Sequence, residues 1–175
     1  MEFKSKNVKI IILSGKAGSG KSSVAKIINN YKKSIILSYA SYIKEVAKNV
    51  LNWDGNEKNK PRDFLQQFGD VIKEINPNLL INRVIEDIKI YSYFYDLIII
   101  SDARFEKEIK CIKDNFKKVY TINIYGRDNN LSEIQKNHIT ETSLDNYDEY
   151  DYKIKNDENV KEKIENILKE ILWKM

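Results

Sequence analysis

The run Gly15-Lys16-Ala17-Gly18-Ser19-Gly20-Lys21-Ser22 fits the pattern G-x-x-x-x-G-K-[ST] at every fixed position. Such a run can hold a chain of phosphates. Its glycines let the backbone turn so that successive N–H groups converge on phosphate oxygens. A helix opening at the lysine adds the positive end of its dipole. Lys21 is then expected to reach the β- and γ-phosphates of a nucleoside triphosphate, and the Ser22 hydroxyl to ligate Mg2+, with Ser23 following in the first helical turn. The pattern carries weight only between a strand and a helix. The apolar run at 8–14 and the amphipathic stretch at 21–30 supply both.

Two further constellations bear chemistry. Ser101-Asp102-Ala103-Arg104 follows the most apolar run of the chain, 97–100, so an acid stands at the C-terminal end of a buried strand. Ligands gather at such ends in open α/β sheets. Asp102 either holds the Mg2+ shell through water or caps a helix. Arg104 either forks onto a phosphate or makes a structural ion pair. On the helical pattern at 61–75, Arg62, Gln66 and Gly69 share one face at i, i+4 and i+7. There Arg62 can bind a phosphate, Gln66 can bond a base edge, and Gly69 lets a ring approach the backbone; the alternative is a solvated polar face. Only four of the 30 basic residues are arginine: Arg62, Arg83, Arg104 and Arg127. Lysine cannot copy the bidentate guanidinium fork, so each arginine is a site candidate.

The elements that must position these residues alternate. Strands are expected at 8–14, 35–37, 97–100, 119–124 and 152–154, and helices at 21–30, 41–51, 61–75, 78–93, 106–115 and 159–173. Residues 127–150 read as a polar loop with a short helix. Alternation of this kind implies an α/β fold, a parallel five-stranded sheet with helices on both faces. A length of 175 residues suits one domain, with a core at roughly 8–124 and 151–175, a helical region at 41–93 and a polar segment at 125–150. The chain is 42% hydrophobic and 32% charged, which excludes a disordered protein. No apolar run approaches membrane-spanning length. The single cysteine, Cys111, excludes an internal disulfide and points to a reducing cytoplasm. The net charge of +4 suits anionic small molecules, while lysines interspersed with acids argue against a nucleic-acid surface.

Taken together, these segments resemble the phage-type deoxynucleoside monophosphate kinases. The stretches that carry the resemblance are 15–22, 40–47, 53–55, 60–69, 100–108, His138-Ile139-Thr140-Glu141 and 151–156, in the family's order. Arg-x-x-Leu-Gln-x-x-Gly from Arg62 and Ser-Asp-x-Arg-Phe from Ser101 are its more selective motifs. The resemblance implies a P-loop fold with an acceptor-binding helical region at roughly 41–93 and a short lid-like segment at roughly 125–150, and phosphoryl transfer from ATP to a deoxynucleoside monophosphate, with Mg2+. It implies that residues 15–23, Arg127 and Asn156 serve ATP. Lys44, Trp53, Arg62, Gln66, Gly69, Asp102 and Arg104 would face the acceptor, and Arg127 would arrive on lid closure. His138 would order the lid, through Glu141, and the active form would be a homodimer. Thr140 stands where the family has serine, and no glycine follows Asn156. Acceptors of the dephospho-coenzyme A or phosphomevalonate type, and a non-catalytic nucleotide sensor, are the competing readings.

Overall fold

Alternate isoleucines decide the architecture. In the strand β1 (Lys9–Ser14), Ile10 and Ile12 point to one face of the sheet and Ile11 and Leu13 to the other, and all four are fully buried. A strand buried on both sides needs helices on both sides. The computed structural model, which describes residues 7–126 and 132–173, shows this arrangement. After β1 come α1 (Lys21–Tyr31), β2 (Ile35–Leu37), α2 (Ser41–Leu51), a 3-10 turn at Glu57–Asn59, α3 (Arg62–Ile75) and α4 (Leu79–Tyr91). Then follow β3 (Leu97–Ala103), α5 (Glu106–Asn115), β4 (Val119–Tyr125), α6 (Glu133–Lys136), α7 (Ile139–Thr142), β5 (Tyr152–Lys155) and α8 (Val160–Trp173).

The strands form one parallel sheet in the order β2-β3-β1-β4-β5. Ile10 and Ile12 stand against Ile98 and Ile100 of β3 and pack beneath α4 and α5 through Ile85, Ile88, Ile109 and Ile112. Ile11 and Leu13 pack on the opposite side with Val24 and Ile28 of α1 and Ile164 and Leu168 of α8. Each such side chain contributes about 1.5–3 kcal/mol relative to exposure. β1 lies centrally; the chain leaves it for β2, beyond β3 on one flank, whereas β3 connects through α5 to β4 on the other flank, so the direction of winding reverses between β1 and β3. That is where an open α/β sheet forms its crevice. The register between β1 and β3 slips between Ile12 and Ser14, just as the chain leaves the sheet for the phosphate loop.

Two elements differ from expectation. β3 runs on to Ala103, past the apolar run that predicts it, because Ser101 and Asp102 lie at the half-buried edge where polar side chains meet the site. The segment at 125–150 carries two short helical turns, α6 and α7, where one was expected. No helix among the described residues is long and apolar enough to cross a membrane.

Candidate active site

The loop between β1 and α1 turns through three glycines with positive φ: Gly15 at 134°, Gly18 at 76° and Gly20 at 96°. Two strand ends hold it. A Cβ on Gly15 would strike the carbonyl oxygen of Ile124 in β4, and one on Gly20 would strike the side-chain amide of Asn156 beyond β5. Asn156 is buried and donates from Nδ2 to the Ser19 carbonyl at 2.6 Å. Lys21 folds back over the loop and donates from Nζ to the carbonyls of Gly15 and Lys16 at 2.6 and 2.8 Å. Burial, assisted by the neighbouring Arg104 guanidinium and opposed by Glu141 and Asp102, lowers its pKa from 10.5 to about 7.

An acid from α7 enters the same loop. Glu141 is buried, and its Oε2 accepts the Ala17 backbone N–H at 2.7 Å and an Arg104 Nη1–H at 2.9 Å. Arg104 Nη1 also donates to the Gly15 carbonyl at 3.1 Å and the Thr140 carbonyl at 3.4 Å. A carboxylate seated on a loop amide and a guanidinium shows that this cradle accepts anionic oxygen. Buried Ser19 Oγ, which has no hydrogen-bond partner among the described residues, is a further group open to a ligand. The residues present therefore fit a phosphate chain.

Asp102 caps instead of standing free. Its Oδ2 accepts from Ser38 Oγ at 2.6 Å and the Ala40 N–H at 3.1 Å, and its Oδ1 accepts the Tyr39 N–H at 2.9 Å. The carboxylate thereby fastens the end of β3 to the turn that opens α2. Among the described residues, no group of three or more His, Cys, Asp or Glu gathers into a metal cluster. Mg2+ in a nucleotide site takes only one or two protein groups and leaves the rest to phosphate and water, so exposed Ser22 at the start of α1 is chemically adequate to hold it, with Asp102 close to the same cleft.

A cleft of about 450 Å3 opens in front of the loop. Its lining runs from Gly18, Lys21, Ser22 and Ser23 through Asp102 and Arg104 to Lys44 of α2 and Arg62, Gln66 and Gly69 of α3. Lys60 and Lys73 add two more cations. Its acids are largely occupied: Glu57 pairs with Lys60 at 2.9 Å, Glu141 with Arg104, and Asp102 with three donors. Glu108, at the first turn of α5, accepts the N–H groups of Arg104 and Phe105 at 2.7 and 3.1 Å. Burial, reinforced by the Asp102 charge and partly offset by those two bonds, raises its pKa to about 7. The balance is cationic and suits phosphorylated ligands.

The chain is similar over nearly its whole length to solved structures of several small kinases. With dephospho-CoA kinase from Campylobacter jejuni the TM-score is 0.55 at 15% identity, covering 95% of this chain and 98% of that one. With TT1252 from Thermus thermophilus it is 0.56 at 14% identity, covering 95% and 97%. The fold is an α/β P-loop NTPase fold. Shikimate kinase from Aquifex aeolicus vf5 is also similar, with a TM-score of 0.50, 16% identity, and 93% and 96% covered. No family model matches the chain, and no curated protein matches it either.

Within this P-loop fold the sequence-derived candidates divide. Lys21, Ser22, Ser23, Lys44, Arg62, Gln66, Gly69, Asp102 and Arg104 line the one cleft. Trp53 does not. Its indole is buried and donates to the Asn56 carbonyl at 3.0 Å and Asn59 Oδ1 at 3.2 Å, so it pins its own loop. Asn156 acts on the loop backbone. Gly69 is buried, and a Cβ there would lie 3.3 Å from Ile43 of α2, so its bareness serves helix packing as well as the cleft. Arg127 lies outside the described residues. Lys73, Glu108 and Glu141 were missed as site residues. Lys73 continues the Arg62-Gln66-Gly69 face by one more turn, and that spacing was the available signal. Glu108 stands third in α5, the position from which an acid reaches back to the helix start. For Glu141 no local signal exists, since its partner Ala17 is 124 residues away.

Proposed function

We propose that the protein is a kinase that transfers the γ-phosphoryl group of ATP to a deoxynucleoside monophosphate, giving ADP and the diphosphate. One observation carries the reading: the phosphate loop and the Arg62-Gln66 face of α3 line the same cleft, together with Lys44 and Arg104. A two-substrate site needs this pairing of donor cradle and acceptor wall. Transfer asks for positioning and charge neutralisation more than for proton chemistry, so no general base is required. The loop amides and Lys21 hold the donor, and Arg62 and Arg104 neutralise the acceptor phosphate. Ser22, with Asp102 in the same cleft, would hold Mg2+, which would supply charge neutralisation at the phosphates when bound. Gln66 would read the base. Arg127 would join when the lid-like segment closes over the donor, and the homodimer implied by the family resemblance and the cytoplasmic setting read from the single cysteine belong to the same proposal.

Arg62 is held only loosely, 3.9 Å from Glu57 and part exposed, so it is available to a ligand. Arg62→Ala is expected to raise the KM for the acceptor roughly tenfold or more and to leave the KM for ATP within about twofold, since a charge-assisted phosphate contact is worth roughly 1.5–3 kcal/mol. A panel of ATP with the four deoxynucleoside monophosphates, dephospho-coenzyme A and phosphomevalonate, scored for ADP release, tests the acceptor class. Turnover with a deoxynucleoside monophosphate supports the proposal. Turnover with only a non-nucleotide acceptor overturns the acceptor, and ATP binding without turnover on any of them overturns the kinase.

A further inference from the structure

We infer that Glu141 is a positioning residue that acts through Arg104, and that it carries the seating of the acceptor helix α3 to the phosphate loop. The inference rests on the kinase reading above for its consequence in turnover, and on geometry for the contact itself. All the hydrogen bonds of the Arg104 guanidinium leave from Nη1, to Gly15 O, Thr140 O and Glu141 Oε2. Among the described residues, Nε and Nη2 carry none, and the side chain lines the cleft. One corner of the fork is therefore anchored and the remainder is presented to whatever enters. Anchoring removes rotamer freedom that a surface arginine would lose only on binding. Of the three anchors only Glu141 is charged, and its side chain is 6% exposed, so the pair is little screened by water. The same carboxylate oxygen holds the Ala17 amide, so the arginine and the loop share a reference point.

What sets Glu141 is α7, and α7 is tied to α3. His138 caps α7: its Nδ1 accepts the Thr140 N–H at 3.3 Å and lies 2.9 Å from Thr140 Oγ1. With Nδ1 accepting, the ring proton sits on Nε2, which is 3.0 Å from Asp70 Oδ2 on α3 and donates to it. Asp70 lies one residue beyond Gly69, on the helix that also bears Arg62 and Gln66. A continuous path thus runs from the acceptor wall through Asp70, His138 and Glu141 to Arg104 and the loop.

The test is a double-mutant cycle of Glu141→Gln and Arg104→Lys, joined to side-chain NMR of the arginines. Only four arginines occur, so their Nε–H signals can be assigned by single Arg→Lys changes. In the wild type the Nη groups correlated with the Arg104 Nε–H are expected to be resolved from one another, since the bonded Nη1 cannot turn freely; in Glu141→Gln they should broaden and merge while those of Arg62 and Arg83 stay. In kinetics, Glu141→Gln should lower kcat roughly tenfold or more with the KM for ATP within about twofold, Glu141→Asp should recover part of the loss, and the double variant should be no slower than Arg104→Lys alone. An Arg104 signal unmoved by Glu141→Gln, or losses that multiply in the double variant, overturns the inference. The NMR arm needs no substrate, so a protein inactive on every acceptor overturns the kinase reading while the positioning contact is still decided.

Discussion

Lys21→Met is expected to lower kcat/KM for phosphoryl transfer by roughly 10²–10³-fold or more, the scale of losing one preorganised charge from a transition state. The fold should survive. Lys21 is buried and its pKa is brought down to about 7, so its ammonium form is destabilised by the native state rather than required by it. Methionine fills nearly the same volume, and the Gly15 carbonyl keeps the Arg104 donor when the lysine is gone. Melting of the variant at pH 7 should stay within a few degrees of the wild type or above it. Near-normal turnover would sink the mechanism.

The same lysine makes a prediction about protons. Its folded pKa of about 7 lies below the ordinary 10.5, so between those values the native state binds fewer protons than the unfolded chain. Its contribution to stability therefore rises with pH across that window. A bound triphosphate requires the ammonium form. Titration of ATP at pH 8, in buffers of different ionisation enthalpy, should show uptake of about one proton per site, fading below pH 7 as the lysine is already charged. Glu108 also titrates near 7, so Lys21→Met is the control; uptake that is unchanged in that variant would show that another group is responsible.

Gly15→Ala should have the second large effect. The residue sits at φ 134°, outside the range of L side chains, and an added methyl meets the backbone oxygen of Ile124, which belongs to a paired strand and has no rotamer to yield. Strain and overpacking together should cost roughly 2–5 kcal/mol. The Gly15 carbonyl also accepts from both Lys21 and Arg104, so its displacement moves both cations. A lowered melting temperature with loss of ATP binding in titration is the expected result. A variant that melts and binds like the wild type would show that the loop relaxes around the methyl.

What the sequence made legible follows the range of the forces involved. α2 and α5 occupy their expected residues, 41–51 and 106–115, because apolar periodicity and local caps act within a turn or two. The phosphate loop was readable because its eight positions are contiguous, and the α3 face because helical spacing brings Arg62, Gln66 and Gly69 together without tertiary help. Trp53 was misplaced because an aromatic residue before a turn looks alike whether it borders a ligand or fastens its own loop. Asp102 was left between two uses. Its three donors come from Ser38–Ala40, more than 60 residues earlier, and only the pairing of β2 with β3 brings them near. Glu141 was read only for lid ordering, for the same reason at greater distance.

The self-closed state of the loop has a consequence for selectivity among anions. With Lys21 bonded to two carbonyls at 2.6 and 2.8 Å and Ala17 bonded to a carboxylate, two of the donors that would meet an anion are already engaged. A visitor must displace contacts of good geometry before it gains its own. Chloride or free phosphate, with one centre of charge, offers too little in exchange, whereas a triphosphate brings a row of oxygens that meets lysine, loop amides and helix start at once. On the kinase reading proposed above, this competition from its own side chains would favour a triphosphate over the small anions of the surrounding medium.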